Sequence, residues 1–248
     1  MGTANPRAHI ARFTVAERLL HWLLATAFGV LLGTGLLMSV PALEGMVPRP
    51  VAKAWHIDAA IGLAVGVVVI TLARARTIGH TISDLERFDV DDRRWLAQIP
   101  RRIVSGAPAP PQGRFNAGQK LNTAVVAGLM VVSYITGFLL WYGERDTAYR
   151  FAGTINVHDD VMWLLMILVA GHLYMALVNL DTRAAMAGMV RGSVDRAWAL
   201  RHHAKWVAEV DRTASQADPA HRTDRPVAET AATSRPPPTG DRRSPDER

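Results

Sequence analysis

Two histidines, His158 and His172, lie fourteen residues apart in one apolar stretch, HDDVMWLLMILVAGHLYMALVN. At ~1.5 Å rise and ~100° per residue, a helix would put them about 21 Å apart and within roughly 40° of one face. From Val161 to Leu180 there is no Asp, Glu, Lys or Arg, so the stretch is long enough to cross a bilayer. An ionisable group inside such a span, as His172 is, marks function by default. Two more histidines, His21 and His56, open other apolar runs. Neutral imidazole is a common axial ligand of haem iron, and two of them make a six-coordinate, electron-transferring site. A plainer reading makes His21, His56 and His158 amphipathic side chains at membrane interfaces. A third makes the histidines a proton relay in a haem-free transporter or scaffold. Against the relay, the spans offer few acidic groups, Asp58, Asp159 and Asp160 being the candidates.

Composition limits what can hold these groups in place. The chain has 248 residues, and its hydrophobic share of 49 % is gathered into long runs, which indicates a membrane protein rather than a soluble domain. Cysteine is absent, which excludes disulfides, cysteine-ligated iron–sulfur clusters and covalent c-type haem. Any metal must rest on histidine or carboxylate, and any haem must be non-covalent. The net charge of +6 comes from basic residues flanking apolar runs, so topology explains it better than nucleic-acid binding does.

The expected fold is all-α, an integral membrane four-helix bundle with spans at approximately 21–40, 56–73, 120–142 and 158–180. Residues 1–20 form an amino-terminal segment. The first span, preceded by basic residues, also has a signal-peptide reading, but its apolar part is too long for the usual h-region. Pro41, Pro48 and Pro50 interrupt the first connection. Within the long polar connection, ISDLERFDVDDRRWLAQI reads as a surface helix and SGAPAPPQGRFNAGQK as extended or looped. Residues 181–211 form an amphipathic segment broken or bent near Gly192, and 212–248 a disordered tail. No internal repeat is read from the runs.

Of the 28 basic residues, all but Arg49, Lys53, Arg145 and Arg150 fall on one side of this topology. Both termini and the long connection are therefore expected in the cytoplasm. Depth then pairs His21 with His172 towards the cytoplasm and His56 with His158 towards the outside. His9, His80, His202, His203 and His221 fall in polar segments and are expected to be solvated. Arg12, Arg18, Lys53 and Arg150 lie at depths suited to haem propionates.

The segments RFTVAERLLHW, GRFNAGQKLN, HDDVMWLLMILVAGHLYMAL and AMAGMVRGSVDRAWALRHHAKW resemble the gamma subunit (cytochrome b556) of respiratory, membrane-bound formate dehydrogenase, over roughly residues 12 to 209. The histidine pattern is shared with the cytochromes b of nickel–iron hydrogenases and thiosulfate reductases. The resemblance implies two b haems, with His21 and His172 on the cytoplasmic one and His56 and His158 on the periplasmic one. It implies a menaquinone or ubiquinone site at Asn116 and Gly118, with Gln119 and Lys120 adjacent. From spacing alone, Asn116 or Gly118 reads equally well as the cap of the third helix. The implied partners are an iron–sulfur beta subunit and a molybdopterin alpha subunit, in the bacterial inner membrane. Electrons would pass to quinone, and formate itself would react elsewhere in the complex.

Overall fold

The computed structural model describes residues 8–105 and 109–217. The chain divides into two compact units, one up to Ala208 and one from Glu209. The first unit is built on four long apolar helices, α1 (Val15–Ser39), α2 (Arg49–Ala73), α6 (Ala117–Gly143) and α7 (Thr154–Leu173), which a π-helical turn extends to Val178. They make two hairpins, α1–α2 and α6–α7. Their faces carry exposed Val65, Val68, Leu72, Val131, Ile135 and Ile167, the residues a lipid-facing surface requires. The protein is thus a multi-pass, all-α membrane bundle, as expected.

Each span begins earlier than its apolar run, because capping chemistry sets the start. Thr14 caps α1 in a reciprocal box with Glu17, and Asn116 caps α6 in the same way with Gln119. Pro48 and Pro50 sit at the start of α2, where a missing N–H costs nothing. The span taken to begin at His56 therefore gains two turns. The long connection folds into α3 (Ala75–Glu86), α4 (Val90–Ala97) and α5 (Ile99–Ser105), and residues 109–115 run without helix. Beyond α7 come α8 (Met186–Arg191), α9 (Arg196–His202) and α10 (Ala204–Ala217). Gly192, at φ 87°, ends α8 in a conformation open to glycine, so the expected break is there. Ser193–Asp195 then pairs as strand β2 with β1 (His9–Ala11), a small antiparallel ribbon absent from the sequence reading. Helix α10 reaches Ala217, past the expected start of the tail; the rest of that tail and residues 1–7 lie outside the described residues.

The two hairpins repeat one another, which corrects the reading of no internal repeat. Adding 102 to a residue of the first hairpin gives its counterpart in the second. Arg12-Phe13 matches Arg114-Phe115, the caps Thr14 and Asn116 match, and Thr34-Gly35 matches Thr136-Gly137. His56 matches His158, Asp58 matches Asp160, and buried Leu63 matches Leu165. The contacts are reciprocal too. Arg12 Nη2 donates to the Arg114 carbonyl at 2.9 Å, while Arg114 Nε and Nη2 donate to the Arg12 carbonyl at 3.1 and 2.8 Å. Phe13 and Phe115 meet with ring centroids 6.0 Å apart. Such exchange is the signature of a two-fold relation between the hairpins, here along the bundle.

A water-soluble type of core closes the amino-terminal end of the bundle, where Ile10, Val194, Trp198, Ala199, Trp206 and Val207 are buried. At its centre lies His203, 1 % exposed, which corrects the expectation that it is solvated. His203 Nδ1 donates to the Gly113 carbonyl at 2.7 Å, leaving Nε2 to accept from Arg12 Nη2 at 2.9 Å. Burial, then the neighbouring Arg12 cation, pushes its pKa from 6.5 down to about 3. The Arg12 guanidinium lies 5.1–5.8 Å from the rings of Phe13, Trp198 and Trp206, whose faces attract a cation. His9 and His80 are exposed and His202 is half-buried; His221 lies outside the described residues.

The buried neutral His203 makes this end acid-sensitive. Between pH 6.5 and about 3 the unfolded chain binds a proton that the folded chain refuses, so stability is full above pH 6.5 and falls with acidification. The slope contributed approaches ~1.4 kcal/mol per pH unit. Thermal unfolding of the solubilised chain between pH 7.5 and 4.5 should show the decline, and His203→Gln should flatten it.

Candidate cofactor sites

The structure brings together both histidine pairs expected from depth. His56 and His158 approach with ring centroids 6.2 Å apart, and His21 and His172 do the same. Each pair takes one histidine from each hairpin. Among the described residues no cluster of three or more His, Cys, Asp or Glu that could hold a metal ion is found. Two metal–nitrogen bonds of about 2.0–2.1 Å, plus the radius of each imidazole ring, would place centroids about 6.4 Å apart across one metal ion. The observed separations fit an iron held between each pair.

The pair at the hairpin end is the more fully built. A cavity of about 790 Å³ opens between the hairpins with His56 and His158 in its lining, a size suited to a cofactor. At Gly137 an added Cβ would lie 3.3 Å from His158 Cε1, whereas at Gly35 it would press Met162 Sδ at 3.2 Å and meet His56 Cε1 only at 3.8 Å. The missing side chain of Gly137 lets the His158 imidazole lie close against α6, and that of Gly35 makes room for Met162 of α7. Arg49, Lys53 and Arg150 are among the residues that line the cavity and supply positive charge to it. Lys53 also bridges to Glu144 of the other hairpin. Deeper in the bundle, Tyr134 on α6 donates to the Ala60 carbonyl on α2 at 2.9 Å, a further tie between hairpins.

Two residues that sequence reasoning missed complete this site. Thr34 Oγ1 lies 2.9 Å from His56 Nδ1, and Thr136 Oγ1 lies 2.8 Å from His158 Nδ1. Each hydroxyl also lies within hydrogen-bond distance of the carbonyl four residues back, Val30 at 2.7 Å and Val132 at 2.8 Å. A hydroxyl that gives its one proton to that carbonyl must accept from imidazole. Both Nδ1 atoms therefore carry hydrogen, and both Nε2 atoms are left with a free lone pair, the tautomer a metal ligand needs. The signal was a Thr-Gly pair placed 22 residues before each of two histidines.

At the amino-terminal end, His21 lies one turn beyond Glu17 in α1, and its Nδ1 is buried without a hydrogen-bond partner. His172 lies at the end of α7, where the helix widens into the π turn Tyr174–Val178. The repeat places Ile70 and Thr123 at the positions matching His172 and His21, so only one of two equivalent pairs exists at this depth. Arg18 donates to the Met189 and Val190 carbonyls at 3.2 and 2.7 Å, and Arg12 is enclosed as described.

The residues singled out for quinone make up the start of α6. Asn116 Oδ1 accepts from the Gln119 N–H at 2.9 Å, and Gln119 Oε1 accepts from the Asn116 N–H at 3.0 Å. The cap thus consumes both amide oxygens and leaves both NH₂ groups as donors. Gly118 lies under Trp95, whose Cη2 would be 2.9 Å from an added Cβ. Lys120 is buried, donating at 2.6 Å to both Asp92 Oδ2 and the Arg87 carbonyl.

Four apolar helices clamping opposed imidazoles define a membrane cytochrome of the b type. The family model for prokaryotic cytochrome b561 matches residues 12–192, and the chain belongs to that family, whose name implies haem b. It is similar to the cytochrome b556(fdo) subunit of formate dehydrogenase from Escherichia coli (strain K12). That protein is 26 % identical over 216 residues, covering 84 % of this chain and 96 % of the relative. The nitrate-inducible cytochrome b556(Fdn) subunit of the same organism is 23 % identical, covering 82 % and 92 %. The cytochrome b556 subunit of formate dehydrogenase from Haemophilus influenzae is 24 % identical, covering 81 % and 83 %.

Proposed function

We propose that this chain is the membrane cytochrome b subunit of a formate dehydrogenase complex in a bacterial inner membrane. It would hold two b haems, on His56 with His158 and on His21 with His172. It would pass electrons from an iron–sulfur beta subunit at the outer face, fed by a molybdopterin alpha subunit, to menaquinone or ubiquinone at the cytoplasmic face. The observation that carries this reading is the pair of histidine contacts, both 6.2 Å between ring centroids and both spanning the two hairpins. The relatives' names support the complex, and the distribution of basic residues supports the orientation, with the hairpin turns outside.

A b haem held by such a histidine pair would supply reversible one-electron transfer. The protein's part is to fix ring orientation, exclude water and balance charge. Thr34 and Thr136 set the tautomers of one pair, Gly137 makes room for His158, and Lys53 and Arg150 offer cations to propionates. At the cytoplasmic end, the Asn116 and Gln119 amides can donate to a quinone carbonyl, next to Gly118, whose missing side chain lets Trp95 pack on the turn. Quinone reduced there would draw its protons from the cytoplasm, so that electron transfer charges the membrane.

A reduced-minus-oxidised spectrum with pyridine haemochrome analysis of the purified chain tests the cofactor assignment: two b haems per chain are expected, and none would end it. For quinone, Asn116→Ser keeps a capping oxygen while removing the amide donor. Quinone turnover should fall about tenfold or more, the loss of a buried hydrogen bond, with both haems still reducible from the outer side. Unchanged turnover would move the quinone elsewhere.

A further inference from the structure

The two histidine pairs differ in what holds their outward-facing nitrogens. At the hairpin end both Nδ1 atoms donate to threonine hydroxyls that in turn donate to backbone carbonyls, a hydrogen-bonded relay repeated in both hairpins. At the amino-terminal end His21 Nδ1 is buried with no partner. We propose that Thr34 and Thr136 are positioning residues that set the direction of electron flow. They do so by holding the hairpin-end site at a lower reduction potential than the amino-terminal-end site.

The physical link is ligand basicity. An Nδ1–H that donates a hydrogen bond pushes electron density to Nε2 and makes the imidazole a stronger donor to a bound metal. Stronger donation favours the oxidised metal and lowers the potential, hydrogen bonding around the ligands being one of the protein's means of tuning it. Two such imidazoles act together on the hairpin-end site, and at least one imidazole of the other site lacks this support. One electron then moves downhill from the hairpin-end site, which is oxidised, to the amino-terminal-end site, which is reduced; no bond or proton is exchanged. The outer reductant is the iron–sulfur partner. The inference rests on the two-haem reading above and adds to it the residues that make the two sites unequal.

The test is potentiometric titration of the purified chain followed by visible absorbance, with pyridine haemochrome as an independent count. His172→Ala should leave the lower-potential component, assigning it to the His56–His158 site. Thr34→Val and Thr136→Val, which keep shape and remove the hydroxyl, should each move that component upward, and the double variant should move it further. The electron distribution between the sites should change about three- to tenfold per hydroxyl, the range set by one hydrogen bond. Thr34→Ser, which restores the hydroxyl, should return the wild-type value, including where a valine variant has lost the haem altogether. A full haem count with an unmoved lower component overturns the proposal. So does survival of the higher component in His172→Ala, or failure of serine to restore what valine removes. A wild-type count below two haems would instead overturn the two-haem reading.

Discussion

His172→Ala is expected to halve the haem content of the purified chain, from two to one, and to leave a single b-type component. The reason lies in the division of ligands between hairpins. His21 would lose its opposing imidazole, 6.2 Å away, while His56 and His158 would keep their contact, their threonine caps and the cavity between them. A single remaining imidazole, on a helix largely facing lipid, cannot by itself supply the six-coordinate site. Haem-to-protein ratio is the measurement. Loss of both haems with a folded chain would show that the pairs are not independent. Retention of two would show that His172 is not a ligand.

Asp92→Ala is expected to destabilise the amino-terminal end by ~3–5 kcal/mol, because it strands a buried ammonium. Lys120 has 8 % side-chain exposure and Asp92 3 %, and the carboxylate also accepts the Asp89 N–H at 3.0 Å. The pair ties α4 to the first turn of α6. Protease sensitivity of the 75–105 segment and the midpoint of thermal unfolding would report the loss. Replacing both partners, Asp92→Leu with Lys120→Met, should recover part of it, since no buried charge is then left unpaired, while the Asp89 N–H and the Arg87 carbonyl each lose a partner. That double variant also separates two roles of Lys120. If quinone turnover survives in it, Lys120 holds the turn and Asn116 and Gln119 face the quinone without it.

Much of this arrangement was legible because membrane helices leave few choices. Uninterrupted apolar runs gave the four spans, and the alternating direction of successive spans gave the pairs His21 with His172 and His56 with His158. What stayed hidden depended on distant partners. Thr34 and Thr136 look like ordinary helix residues until the helix carrying each histidine is seen to lie beside them. His203 sits in a polar stretch, and its burial depends on Arg12, 191 residues earlier. The repeat escaped notice because apolar spans resemble one another by composition alone. It becomes visible only in the polar and small residues, Arg-Phe, Thr-Gly and His, that recur at a fixed interval. The starts of the spans were misjudged for a related reason, because capping residues, rather than hydropathy, decide where a helix begins.

The division of each histidine pair between hairpins also has a consequence for biogenesis. The second hairpin emerges from the ribosome 102 residues after the first, an interval of about 5–20 s at ordinary rates of synthesis. During that interval the first hairpin sits in the bilayer with His21 and His56 each lacking the opposing ring, and with Arg12 lacking the Arg114 carbonyl. A cofactor bound at either pair could not be held from both sides before α7 is inserted. On the two-haem reading, haem capture would be a late event in the life of the nascent chain, fastening together two halves that are made one after the other.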